Sequence, residues 1–268
     1  MARRKKILIA GISSDIGLAL AEHWSVQGHN VVGTFRTKTS ELDMLSKKLV
    51  DLVRCDFSNK KSILDCLSEL EKKANGWDAL VICPASMLPI ASFEQSDIDF
   101  WVESFSLNFL SIVRFIHGAL SFRSCLGTPL VLNFAGGGSN SAPQNLSSYV
   151  SSKVALTKFT ELLAAEIPSV NFAILGPGWV KTKIHNELLE SSGASEKQVL
   201  ETRRRLADGD FVPMERILFC CDWLLNSGPE VSGRNFSAAN DLIGKNELTD
   251  RLKLDENFYK LRRYGNSG

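Results

Sequence analysis

The sequence lacks long apolar runs, paired-cysteine spacing and any excess of one charge, and each absence removes a class of function. Its first apolar run, residues 7–10, ends after four residues at Gly11. That is too short for the hydrophobic stretch of a secretion signal, despite the basic residues before it. No run approaches the length of a membrane span, so no membrane association is expected. Lys plus Arg number 31 against 30 for Asp plus Glu, which gives no global field to draw nucleic acid or a membrane surface. The six cysteines, Cys55, Cys66, Cys83, Cys125, Cys220 and Cys221, show no CxxC pair and no metal-ligand spacing. They are read as buried, reduced thiols of a cytoplasmic protein. The four histidines are isolated, so no metal site is expected. Internal repeats, low-complexity tracts and linkers are absent too.

What is present is an ordinary globular composition, 44 % hydrophobic and 23 % charged, enough to bury a sizeable core. Strand-like apolar segments at 7–10, 30–35, 50–55, 79–83, 129–134, 171–175 and 235–238 alternate with helical stretches. The clearest helices are read at 15–27, 60–73, 97–120, between Pro143 and Pro168, and at 216–225. This rhythm predicts a doubly wound α/β fold, with one parallel sheet and helices on both faces, because parallel strands need crossover connections. It runs through both halves, which favours a single domain over residues 1–268. Residues 183–211 break the rhythm. They are polar and charged, follow the sixth strand on its carboxyl side, and are read as a substrate lid. Within them Arg203, Arg204 and Arg205 are either a solvated helix face or a surface that meets an anionic substrate such as a sugar nucleotide or an acyl carrier. The polar tail from Asn246 is expected to pack at the rim.

Three constellations carry chemistry. Tyr149 and Lys153 are four apart on the helix before Pro168, so their side chains rise together from one face. A phenol ordinarily keeps its proton to about pH 10. An ammonium one turn away is expected to lower that value and make Tyr149 a general acid or base for a carbinol oxygen. The loop holding Gly11, Ser13, Ser14, Ile16 and Gly17 sits between the first strand and first helix, where backbone N–H groups and a helix N-terminus meet a pyrophosphate. Gly11 permits the tight turn and Gly17 lets helix and strand pack closely. Asp15 is expected to point away from that anion and cap the helix. The second strand ends at Arg36, with Lys38 nearby and no acid at the corner, where NAD-preferring folds place Asp or Glu. A cation there fits a 2′-phosphate and favours NADP(H).

The G-x-x-x-x-x-G spacing, Tyr149 with Lys153, and the later Pro177, Gly178 and Thr182 resemble, in order and spacing from residue 7 to about 240, the short-chain dehydrogenase/reductase family. The resemblance implies a seven-stranded parallel sheet and an NAD(P)-dependent oxidoreductase. It implies that Asp56 contacts adenine, that Pro84 and Ala85 stand in for an N-N-A-G tetrad around the cofactor, and that Lys153 also holds the nicotinamide ribose. By the same resemblance the main chain of Asn108 holds a relay water, and Pro177, Gly178, Val180 and Thr182 wrap the nicotinamide. The family's usual serine lies about thirteen residues before the tyrosine. That count lands on Gly136, beside Ala135, neither with a hydroxyl; Ser139 or Ser141 are candidates to replace it. The family is commonly dimeric or tetrameric through the helices holding Asn108 and Tyr149, so a homodimer or homotetramer is expected. The implied substrate is a small carbonyl or alcohol, with an anionic one suggested by the arginine run. Two other readings stay open: a dinucleotide-binding sensor or scaffold without turnover, and a nucleotide-sugar reductase or epimerase.

Overall fold

The structure is a computed structural model that describes residues 3–46, 50–138 and 140–263. Its strands are β1 (Lys6–Ala10), β2 (Asn30–Phe35), β3 (Val50–Arg54), β4 (Ala79–Ile82), β5 (Leu130–Phe134), β6 (Asn171–Gly176) and β7 (Arg234–Ser237). The α-helices are α1 (Asp15–Val26), α2 (Ser40–Ser46), α3 (Lys60–Lys73), α4 (Ile98–Phe105), α5 (Ser111–Ala119) and α6 (Ser147–Glu166). They continue as α7 (Ile184–Glu190), α8 (Glu196–Asp208), α9 (Met214–Asn226) and α10 (Asn246–Leu254).

Ile7, Leu8, Ile9 and Ala10 are all fully buried, as are Leu80 and Val81, because both faces of these strands are covered. Side chains alternate between two cores. Ile7 and Ile9 meet Leu20 and Trp24 of α1 with Ile217, Cys220 and Leu224 of α9. Leu8 and Ala10 meet Ile63 and Leu70 of α3, Ile112 and Phe115 of α5, and Leu156 of α6. Each fully buried Leu, Ile or Phe contributes roughly 1.5–3 kcal/mol, so these two layers carry most of the stability. The strands form one parallel sheet in the order β3-β2-β1-β4-β5-β6-β7. The order reverses between β1 and β4, and the carboxyl ends of those neighbours open the crevice in which such sheets bind ligands. A third, smaller apolar cluster lies beyond that end: Met87, Ile90, Leu146 and Leu188, with Tyr149 and Val150 against it.

Two expectations need correction here. Ile98–Phe122 is one helical run of 25 residues, and an 18-residue window within it has mean hydropathy 1.3, so by length and composition one stretch does reach membrane-span size. Part of its apolar surface serves the fold: Ile112, Phe115, Ile116 and Ala119 are buried against the sheet, whereas Ile98, Phe100, Val102 and Leu110 are exposed. Nor is the run a uniform α-helix. Its hydrogen bonding widens to a π turn at Ser106–Leu110, around the fully buried Asn108. The polar tail does pack at the rim, through Leu248 and Leu252 and through Arg234, whose guanidinium donates to the carbonyls of Leu252 (2.6 Å) and Asp255 (2.9 Å).

Candidate active site

The turn after β1 is built on Thr34 of β2. Gly11 N–H donates to Thr34 Oγ1 at 3.0 Å and Ile12 N–H to the Thr34 carbonyl at 2.8 Å. Gly11 has φ +72°, and a β-carbon there would stand 2.9 Å from Pro84 Cγ, so the turn needs glycine for conformation and for space. Ser13, Ser14 and Ile16 are half-buried along the turn, and a β-carbon on Gly17 would meet the Gly11 carbonyl oxygen at 2.7 Å. Ser14, in extended conformation, is the N-cap of α1, its Oγ accepting from Gly17 N–H at 3.0 Å. Such a cap is worth about 1 kcal/mol. Asp15 does not cap α1, because Ser14 already does. Its carboxylate instead accepts the backbone N–H of Lys183 at 2.6 Å, with Lys183 Nζ 3.8 Å away, and so ties this turn to the start of α7.

At the end of β2, Arg36 is exposed and makes no hydrogen bond or ion pair among the described residues, whereas Lys38 is bound to Asp43 at 2.6 Å. Only Arg36 of the two is left to meet a phosphate. Asp56, after β3, is half-buried. Burial opposes its ionisation, but the hydroxyl and amide of Ser58 (2.7 and 3.0 Å), with Arg36 and Arg54 nearby, outweigh that and hold its carboxyl below the usual range. Pro84 packs on Gly11, and the chain after Ala85 is gripped by Asn108. Asn108 Oδ1 accepts Ser86 N–H at 3.0 Å, and Nδ2 donates to the carbonyls of Ser86 (2.9 Å) and Ser104 (3.0 Å). The Asn108 side chain therefore positions the segment after β4. These features suit a dinucleotide: a tight glycine turn, a helix N-terminus following it, and, among the described residues, an unpaired cation at the second strand.

Tyr149 and Lys153 rise from one face of α6, as the spacing predicts, beside the end of β5. Lys153 is 5 % exposed, and its Nζ donates to the Phe134 carbonyl at 3.0 Å. Its Nζ lies 5.9 Å from the Tyr149 ring centre. Burial pulls the Lys153 pKa down to about 8. The Tyr149 phenol moves opposite to expectation: burial, then the charge of Glu187, push it up to about 12. The ammonium is committed to a β5 carbonyl, and desolvation outweighs it. Gly136 does lie beside Tyr149, and a β-carbon built on it would stand 2.8 Å from the phenol oxygen. Ser139 lies outside the described residues, and Ser141 is exposed in the following turn. Two shallow surface clefts of about 490 and 480 Å³ lie elsewhere, around Trp223 and around Arg4, and include none of these residues.

Above Tyr149 lie the loop after β6 and helix α7. Pro177 is half-buried, and Gly178 (φ +75°) is packed by Val212. Val180 is buried, and its carbonyl binds His185 Nε2 at 2.9 Å and accepts the Thr182 hydroxyl at 3.3 Å. The Trp179 ring stacks on His185 at 4.0 Å. Of the three arginines, Arg204 bonds Glu201, Asp208 and Asp210, and Arg205 bonds Glu201 and lies over Trp179, which accounts for two of them within the 183–211 segment. Sequence reasoning missed Glu187. Its Oε2 accepts Met87 N–H at 2.6 Å and the Ser86 hydroxyl at 3.1 Å. The available signal was its place between Ile184 and Leu188, an acid on the apolar face of α7.

Comparison with known proteins accords with this geometry. Residues 5–193 match the family described as short chain dehydrogenase. The chain is 27 % identical over 209 residues to a dehydrogenase/reductase SDR family protein 7-like of Dictyostelium discoideum, covering 71 % of this chain and 64 % of that protein. It is 27 % identical over 241 residues to an uncharacterized oxidoreductase of Schizosaccharomyces pombe, covering 86 % of this chain and 94 % of the other. Among solved structures, a short chain dehydrogenase/reductase from Saccharomyces cerevisiae superposes with a TM-score of 0.81 at 23 % identity, covering 90 % of this chain and 98 % of that one. An actinorhodin polyketide ketoreductase with NADPH gives a TM-score of 0.75 at 20 % identity, covering 88 % and 97 %.

Proposed function

This chain belongs to the short chain dehydrogenase family, NAD(P)-dependent oxidoreductases of carbonyl and alcohol groups, and from that premise we propose that it uses NADP(H), with Tyr149 handling the proton on the substrate oxygen. The observation that carries this reading is the placement of Tyr149 and Lys153 one turn apart on α6, against Gly136 at the carboxyl end of β5. When bound, NADP(H) supplies or accepts the hydride. A phenol held up to about 12 is protonated at neutral pH, which suits donation to a carbonyl oxygen as it becomes an alcohol. Lys153 would stabilise the phenolate left behind and would hold the ribose, while Asn108 positions the segment after Ala85. Gly11, Ser13, Ser14, Ile16 and Gly17 would hold the pyrophosphate, Asp56, Pro84 and Ala85 the adenine and nicotinamide sides, and Pro177, Gly178, Val180 and Thr182 the nicotinamide. Arg36 would pair with the 2′-phosphate, which supports NADP over NAD. Residues 183–211 act as the substrate lid of a single domain.

Exposed Ile98, Phe100, Val102 and Leu110, with Leu162 on α6, support assembly as a homodimer or homotetramer. Six free thiols support a cytoplasmic setting. A binding protein without turnover has one observation in its favour, Gly136 in place of a hydroxyl donor; one such donor is worth about 3–4 kcal/mol of catalysis. The test is consumption of NADPH with a panel of ketones and aldehydes at neutral pH. Steady oxidation of NADPH with at least one carbonyl is expected. Binding of NADPH without turnover of any carbonyl would favour the non-catalytic reading.

A further inference from the structure

We propose that Glu187 is the specificity determinant of the substrate end, selecting carbonyl compounds that carry a hydroxyl or ammonium group next to the carbonyl and disfavouring those that carry a carboxylate there. The proposal rests on the oxidoreductase reading of the same site. Ile184, Glu187 and Leu188 share one face of α7, and Leu188 is buried in the cluster that holds Met87 and Leu146, with Tyr149 packed against it. Glu187 lies on that face, near enough for its charge to act on the Tyr149 phenol.

Its position is fixed from the other side. Ser86 and Met87 bond it directly, and Ser86 is itself held at N–H and carbonyl by Asn108. The bonds from Ser86 and Met87 fall on Oε2 and the Leu88 amide also favours the ionised carboxylate, whose four lone-pair sites still leave room for a ligand donor. Attachment of α7 to the β4 segment requires only an acceptor, and a glutamine would provide one. The negative charge is surplus to that task, yet it is kept among Met87, Leu88, Ile184, Leu188 and Tyr149, where desolvation raises the cost of ionisation. A ligand that donates a hydrogen bond, or brings a positive charge, offsets that cost. A ligand carboxylate adds a second anion in a poorly solvated site, where repulsion is strong. Arg36 is the cation whose field reaches Glu187, and the proposed function commits it to the cofactor phosphate.

Matched ligands on one phenyl ketone core provide the test: acetophenone, α-hydroxyacetophenone, α-aminoacetophenone and phenylglyoxylate. Binding is read by intrinsic tryptophan fluorescence with and without NADPH, and NADPH oxidation is followed in parallel. The wild-type protein is expected to bind the hydroxy and amino ketones at least about tenfold more tightly than phenylglyoxylate. In Glu187→Gln, which keeps the acceptor for Ser86 and Met87, that ratio is expected to fall to about threefold or less, and in Glu187→Lys to invert. An unchanged ratio in Glu187→Gln, equal loss for all four ligands, or no binding of the donor-bearing pair by the wild type would overturn the proposal. Ratios that hold without NADPH oxidation would leave the recognition standing and count against the oxidoreductase reading alone.

Discussion

The phenol oxygen of Tyr149 occupies the space that a side chain on Gly136 would need, since a β-carbon there would lie 2.8 Å from it and 2.9 Å from Lys153 Cγ. A side chain at position 136 would thus compete with the present seat of the tyrosine. Gly136→Ala is expected to displace the Tyr149 and Lys153 side chains rather than the backbone. It should lower kcat/KM at least about tenfold and shift the melting temperature by only a few degrees. Steady-state kinetics beside a thermal melt checks this, and unchanged kcat/KM would show that Tyr149 does not need its present seat.

Asp15 reaches across 168 positions to Lys183. Asp15→Ala removes the acceptor for the Lys183 amide, so amides at 183–190 are expected to exchange hydrogen several-fold faster, with Asp15→Asn partly restoring protection. Mass-resolved hydrogen exchange measures it. Protection equal to wild type in Asp15→Ala would mean that the apolar contacts of Leu188 hold α7 unaided.

Lys153 gives stability a defined pH dependence. Its folded pKa of about 8 lies below the ordinary 10.5, so between these values the unfolded chain binds more protons and stability rises with pH. The contribution is complete above 10.5 and lost as pH falls through about 8; the full span is worth about 3 kcal/mol. Tyr149 acts higher, its contribution present below 10 and lost as pH rises through about 12. Lys153→Met is expected to flatten the rise, read from denaturant midpoints of the cofactor-free protein at about pH 8 and about pH 10.

Arg36→Ala is expected to weaken NADPH binding about tenfold or more and NADH binding less than about threefold, because only the former carries the 2′-phosphate. Titration by nicotinamide fluorescence separates the two, and equal losses would remove Arg36 from the cofactor assignment.

The sheet and the Tyr149–Lys153 pair were legible because both depend on local periodicity. Apolar runs buried on two faces mark parallel strands, and a spacing of four places two side chains on one helical face. Val50–Arg54 and Lys60–Lys73 fall where the pattern put them, within a residue. Features that depend on distant partners were not legible. Ser14 rather than Asp15 caps α1 because Ser14 holds the extended conformation ahead of the first helical residue, and the Asp15 carboxylate is left to bind Lys183. Nothing local to the 97–120 pattern announces a π turn at Asn108, which follows from the grip of that side chain on Ser86. The direction of the Tyr149 shift also escaped, since it is set by burial and by Glu187 on another helix, not by the lysine one turn away. The arginine run read more as a solvent face than as an anion site, and Glu201, Asp208 and Asp210 claim Arg204.

The most direct measurement is the turnover of Tyr149→Phe with NADPH and a carbonyl substrate, beside its affinity for NADPH. The phenylalanine keeps the ring and its packing and removes the proton that the reaction needs. Turnover is predicted to fall at least about a hundredfold with NADPH affinity within about threefold of wild type. Turnover like that of the wild type would contradict the assignment of Tyr149 as the proton donor.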